Sequence, residues 1–142
     1  MKRLFESAVI LLLIATPVLA QPAGLVVTGG WFRSLPGKLP AGGYFNARSN
    51  SGAPIVITGA EAPGCASLML HRSSDKGGMS HMEMMDKVTV PPGGTIQFAP
   101  GGYHLMCMNP SLKIGSRVPV DLHLADGSKV VAAFEVRGAT GK

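Results

Sequence analysis

Short apolar segments separated by glycine and proline make up the chain from about residue 25 onward. Nine of these segments are predicted to be strands: 25–28 continuing toward 32, 43–47, 55–60, 67–71, 87–90, 95–99, 103–107, 118–124 and 129–136. Asp126-Gly127 between the last two is a hairpin signal. No segment has a convincing helical period, so the pattern predicts an all-β fold, an antiparallel β-sandwich.

The segment 73–85 interrupts this alternation. It is rich in Gly, Ser and Met and alternates neither as a strand nor as a helix. We predict a long loop here, with at most one helical turn. Loops of this length in compact domains often carry function.

The first twenty residues have the pattern of a secretory signal peptide. Lys2 and Arg3 form a positive start, residues 8–15 are an unbroken apolar run, and a small-residue cleavage site ends at Ala20. The run is too short for a transmembrane helix. We therefore expect export, cleavage after Ala20 and a single domain over 21–142, with no stable membrane insertion and no cysteine directly after the cleavage site to carry a lipid.

Charge and motif content exclude several function classes. The chain has 13 Lys and Arg against 8 Asp and Glu, a formal net charge of +5, but the basic residues are scattered singly. Without a basic stripe interleaved with aromatics, no nucleic-acid binding is expected. No nucleophile-and-base arrangement and no paired carboxylates stand out, so we expect a protein that is not an enzyme.

Sulfur and imidazole side chains are concentrated in one region. Every methionine after the initiator, and three of the four histidines, lie within residues 69–108. Within it His71, Met82, His104 and Met106 form a set of two imidazoles and two thioethers. Thioethers select Cu(I) over harder ions, so we predict these four as ligands of Cu(I). Four protein ligands leave no position reserved for water or substrate, which favours a carrier.

The predicted strands bring these side chains together. His104 and Met106 are two residues apart and point to the same side of an extended segment. His71 ends a strand whose leucines point the other way, and Met82 would close over the ion from the loop. Ordinary surface histidines, gap-filling methionines or a Met-rich adhesive surface are the alternatives.

Further side chains surround the set. The acidic ones, which could orient ligand histidines, are Asp75, Glu83 and Asp86. Those that could form a secondary site or exchange as ligands during transfer are Met79, His81, Met84 and Met85. His81 could help to hold Cu(II), which prefers imidazole. By strand parity His123 belongs to a polar face, while Trp31 and Tyr44 are assigned to the core or its rim.

Two cysteines, Cys65 and Cys107, leave three alternatives open. Export favours a disulfide. Cys107 could instead be a buried free thiol, or a thiolate ligand beside Met106. Parity places Cys65 on the side of His71 but Cys107 opposite His104, which counts against a ligand and complicates a disulfide.

The spacing His71-x10-Met82-x21-His104-x-Met106 resembles the copper motif of the periplasmic PCuAC copper chaperones. The likeness extends over roughly residues 25–137 and includes 42–45, 90–94, 100–106 and 115–120. The cysteines are not part of that family's motif. The resemblance implies a cupredoxin-like β-sandwich with Greek-key connections. It also implies a periplasmic carrier of Cu(I) toward a copper-acceptor protein, either the CuA or CuB centre of cytochrome c oxidase or another copper chaperone.

Three other functions compete. A periplasmic copper storage or resistance protein would have the same site. An electron-transfer cupredoxin needs a cysteine ligand followed closely by histidine. Here Cys107 is followed by Met108, Asn109 and Pro110, and the next histidine is His123. A non-metal interaction module would use the Met-rich segment as its contact surface.

Overall fold

Ten strands joined by turns form the protein in the computed structural model, which describes residues 24–142. The predicted signal peptide lies outside the described residues. The strands are β1 (Leu25–Arg33), β2 (Ala41–Ser49), β3 (Ile55–Glu61), β4 (Ser67–Lys76), β5 (Met79–Met84), β6 (Val88–Val90), β7 (Thr95–Phe98), β8 (Tyr103–Met108), β9 (Arg117–Leu124) and β10 (Lys129–Arg137).

The strands close into a barrel-like β-sandwich. Neighbours run in the order β4, β8, β2, β1, β10, β9, β3, and one pair between β3 and β4, Ala60 with Leu68, completes the circuit. β5 extends the sheet beyond β4 as an edge strand, and β6 does so beyond β3. The chain crosses between non-consecutive neighbours such as β2 and β8, or β3 and β9, as Greek-key connections require. The all-β prediction is confirmed, although β1–β10 and β7–β8 pair in parallel.

All nine predicted strands are present, and a tenth was missed. The loop prediction for 73–85 is wrong, because β4 continues to Lys76, turns at Gly77-Gly78 and returns as β5. Every residue of β5 is exposed, so the strand has no apolar face that could produce an alternating pattern. The backbone hydrogen bonds of its pairing with β4 keep β5 in the sheet.

Inward side chains from both halves of the sandwich fill the core. The largest fully buried ones are Phe32, Phe45, Phe98, Phe134, Ile57, Leu105, Leu122, Val90 and Val120. Phe45 stacks on Phe98 with ring centroids 4.2 Å apart, and Phe134 packs against Phe32 at 5.3 Å. Between residues 24 and 142 no helix is long and apolar enough to cross a membrane.

A disulfide joins Cys65 and Cys107, which settles the open question about the cysteines. Cys107 is fully buried on the core side of β8, so it is neither a free thiol nor a thiolate ligand. Cys65 lies in the turn before β4 begins at Ser67, and strand parity therefore does not apply to it. The disulfide ties the start of β4 to β8.

Candidate metal centre

β8 separates core side chains from candidate ligands by simple alternation. Leu105 and Cys107 belong to the core, so His104 and Met106 lie on the opposite face of the strand. His104 is nevertheless only 5% exposed, whereas Met106 is half-buried. An imidazole on the outer face that is nonetheless buried must be covered by neighbouring segments.

The neighbouring strand β4 places a second imidazole against the first. His71 is directly opposite His104 in the antiparallel register of β4 and β8, and Met69 is opposite Met106. The two rings meet edge to face, with centroids 5.7 Å apart and planes at 63°. Directly opposed residues share a face of the sheet, so His71 lies on the face of His104.

The hairpin strand β5 contributes the methionine. Met82 pairs with Ser73, two residues beyond His71 on β4, and therefore lies on the same face. Met82, His104 and Met106 line one cavity. His71 does not line it and contacts His104 from the side of β4. All four predicted residues thus lie on one face of three adjacent strands, although Met82 is on a strand and not on the predicted loop.

Hydrogen bonding leaves imidazole lone pairs available. The Nδ1 of His104 donates to the carbonyl oxygen of Gly102 at 3.0 Å, which leaves its Nε2 as the acceptor nitrogen. That Nε2 and both ring nitrogens of His71 are buried without a hydrogen-bond partner among residues 24–142. Such backbone support of one ring nitrogen while the other is free is typical of metal-binding histidines.

The electrostatics favour the neutral, metal-binding form of His71. Partial burial lowers the pKa of His71 below its ordinary value, and the neighbouring His104 lowers it further. Neutral imidazoles and thioethers carry no charge, so this centre suits a soft monovalent ion. In the described part of the chain, no group of three or more His, Cys, Asp or Glu side chains is placed to hold a metal, so any metal here would depend on the methionines.

The predicted acidic support for the histidines is not seen. Glu83 forms an ion pair with Arg72, in which Oε1 of Glu83 lies 2.5 Å from Nη2 of Arg72. This pair is on the face of the hairpin opposite to His71 and Met82. Neither Asp75 nor Asp86 forms a hydrogen bond or ion pair with a histidine within the described residues. For His104 the orienting hydrogen bond goes to the Gly102 carbonyl, which no sequence pattern of side chains reveals, whereas neither ring nitrogen of His71 has a partner among the described residues.

The additional sulfur and imidazole side chains are divided between two faces. Met84 is directly opposite His71 and shares its face. His81 pairs with Ser74 and Met79 with Lys76, which places both on the other face, away from Met82. Met85 packs against the core. His81 and Met82, although adjacent in sequence, therefore lie on opposite faces of β5.

An aromatic cluster borders the site. Tyr44 and Trp31 lie in the core and at its rim, as predicted, but the sequence interpretation gave them no place beside the candidate ligands. Tyr44 lines the same cavity, its ring 6.5 Å from that of His104, and Trp31 packs on Tyr44 at 4.8 Å. The Arg33 guanidinium stands over both rings, at 5.5 and 5.6 Å. Gly42 leaves space for the hydroxyl of Tyr44, since a Cβ there would lie 2.4 Å from that oxygen.

His123 lies away from this centre, as predicted. Its Nε2 is 3.6 Å from a carboxylate oxygen of Glu61, and it follows Asp121 on the partly exposed face of β9. It therefore serves as a comparison residue for the two histidines of the candidate site.

Comparison with known proteins places the chain in a family. The LpqE-like family, described as "Putative lipoprotein LpqE-like", matches residues 25–136. The chain belongs to the LpqE-like family. One relative, "Putative lipoprotein Lxx21020" of Leifsonia xyli subsp. xyli, is 32% identical over 124 residues, which cover 85% of this chain and 74% of the relative.

Solved structures share the architecture. The copper-bound PCuAC domain from PmoF2 has a TM-score of 0.68 and 19% identity, and the match covers 82% of this chain and 94% of that domain. The Cu(I) form of DR1885 from Deinococcus radiodurans is 30% identical with a TM-score of 0.66, covering 84% of this chain and 81% of that protein. This LpqE-like chain therefore has a fold of the PCuAC type.

Proposed function

We propose that the chain binds one Cu(I) ion through His71, Met82, His104 and Met106. The observation that supports this most directly is the convergence of two imidazoles and two thioethers on one face of β4, β5 and β8, where each imidazole has a buried ring nitrogen without a hydrogen-bond partner among residues 24–142. Copper in the PmoF2 domain and Cu(I) in DR1885 add support from proteins of the same fold.

The arrangement suits an ion that is carried and not kept. Three ligands come from β4 and β8, with His104 buried, whereas Met82 is 56% exposed on the edge strand β5. Thioethers are neutral, soft ligands, so an acceptor with thiolates or imidazoles can displace them without a change in protein charge. We therefore propose a copper chaperone, not an enzyme.

The location and the acceptor are parts of the same proposal. The predicted signal peptide, the Cys65–Cys107 disulfide and the lipoprotein names of the relatives support an exported protein, which we assign to the periplasm. As acceptor we propose a copper centre of cytochrome c oxidase or another copper chaperone. A storage or resistance role would use the same ligands.

The disulfide argues against the electron-transfer alternative. A blue-copper site requires a cysteine thiolate together with two histidines. Both cysteines of this sequence are paired with each other, so neither offers a thiolate. We expect no intense blue colour when Cu(II) is added to the oxidised protein.

The test is a Cu(I) titration of the mature protein against a competing chromophoric chelator. We expect one tight equivalent, with affinity lowered by about tenfold or more in Met82→Leu and in His104→Ala. Met79→Leu on the other face of β5 and His123→Ala are the matched controls and should bind as the parent does. Absence of competition, or equal binding by all variants, would contradict the four-ligand site.

A second experiment separates delivery from storage. The Cu(I)-loaded protein is mixed with the apo form of an oxidase copper domain, and the copper content of both is measured after they are separated. Transfer on mixing supports delivery. Retention of copper by the chain, with the acceptor competent to take free Cu(I), supports storage.

A further inference from the structure

We propose that Met84 is an exchange ligand, an exposed thioether that takes Cu(I) from the ligands on β8 and presents it to the acceptor. This inference rests on the proposed function. It concerns a residue outside the four-residue motif, and it is carried by strand register and exposure.

Register and exposure together single out Met84 among the methionines that the proposed site does not use, because Met69 and Met108 share this face but are half-buried on β4 and β8. It is directly opposite His71 on β5, where side chains of an antiparallel pair have Cβ atoms about 4.5–5.5 Å apart. Met79 is on the other face, and Met85 packs against the core. His71 thus lies between His104 on one side and Met84 on the other.

Exposure decides where an acceptor can reach the ion. The His104 side is closed, at 5% exposure, whereas Met84 is 65% and Met82 56% exposed. β5 is the outermost strand of this side of the sheet, so a protein approaching this face meets Met82 and Met84 first. An ion bound by His71, Met82 and Met84 would be open to an incoming ligand while the protein still holds it.

The exchange step needs no redox partner. A copper–sulfur bond to the Sδ of Met84 forms as a bond to Met106 or His104 on β8 breaks, and copper remains Cu(I) throughout. Every ligand involved is neutral, so the total charge of the complex does not change. The flexible methionine side chain, with three rotatable bonds, can reach the ion without movement of the backbone.

The experiment compares equilibrium binding with the rate of release. Met84→Leu and the control Met79→Leu are loaded with one equivalent of Cu(I). The stopped-flow rate of transfer to excess chromophoric chelator is then measured. We expect Met84→Leu to bind one equivalent with affinity within about threefold of the parent but to release it about fivefold more slowly. Met79→Leu should match the parent in both measurements.

The outcomes separate this inference from the proposed function. If the parent binds Cu(I) tightly but Met84→Leu releases it at the parent rate, the exchange role is overturned and the four-ligand site stands. If Met84→Leu loses about tenfold or more in affinity, Met84 is an equilibrium ligand, which also overturns the exchange role. If the parent binds no Cu(I), the proposed function itself fails.

Discussion

His71 and His104 lie directly opposite one another on β4 and β8, with their ring centroids 5.7 Å apart. Their meeting depends on strand register, because a shift of one residue would send one ring to the opposite face of the sheet. In the same register Leu68 is opposite Cys107, whose disulfide partner Cys65 lies just before β4. The covalent link therefore fixes the alignment that brings the two imidazoles together.

Cu(I) should stabilise the folded protein through this pair of histidines. A ligand that binds only the folded state, at a free concentration of one hundred times its dissociation constant, raises the free energy of unfolding by about 2.7 kcal/mol. We expect a rise in the thermal midpoint of the parent and of His123→Ala, and a much smaller rise in His71→Ala. Thermal unfolding under anaerobic conditions, with and without Cu(I), measures this. An unchanged midpoint in the parent would favour the non-metal interaction module.

The turn of the β4–β5 hairpin should control how well Met82 is placed. Gly77 and Gly78 have φ values of 61° and 78° between the paired residues Lys76 and Met79, which is the pattern of a two-residue type I′ turn. Asparagine tolerates this conformation and valine does not. We therefore expect Gly77→Val to weaken Cu(I) binding severalfold and Gly77→Asn to preserve it, as measured by chelator competition.

This comparison isolates the hairpin from the rest of the fold. β5 is wholly exposed, so neither variant removes core packing, and both should unfold near the parent midpoint. Equal affinities of Gly77→Val and Gly77→Asn would show that the hairpin does not position a ligand.

The disulfide should contribute both to stability and to the site. It closes a loop with a sequence separation of 42, for which the chain-entropy relation gives about 4 kcal/mol of stabilisation. We expect Cys65→Ala/Cys107→Ala to lose about 3–4 kcal/mol in urea unfolding and to bind Cu(I) more weakly. Alanine is chosen over serine because a serine at position 107 would bury a hydroxyl in the core. A loss below about 1 kcal/mol would show that the disulfide constrains the unfolded chain much less than the chain-entropy relation requires.

The sequence predicted the part of the site that strand alternation controls. His104 and Met106 flank the core residue Leu105, so their common face could be deduced from spacing alone. The β4–β5 hairpin could not be predicted, because Met82 lies on a strand exposed on both faces. The position of Tyr44 beside His104 could not be predicted either, since it depends on the pairing of β2 with β8, which is distant in sequence.

Gly43 on β2 should be intolerant of a side chain. A Cβ there would lie 2.8 Å from Cε1 of Phe32 and 3.1 Å from Cβ of Leu105, and both side chains are fully buried. Overpacking of this kind costs about 1–3 kcal/mol, so we expect Gly43→Ala to lower the free energy of unfolding by that amount in urea.

The matched control for Gly43 is Gly59 on β3. A Cβ at Gly59 meets nothing within 4 Å, and alanine in that position reduces only the freedom of the unfolded chain. Gly59→Ala should therefore be neutral or slightly stabilising. Because Leu105 lies between His104 and Met106, displacing it should also weaken Cu(I) binding in Gly43→Ala, an effect that Gly59→Ala should not share. Equal stability of the two variants would mean that the core beneath the site can yield, and that the ligands are not held by it.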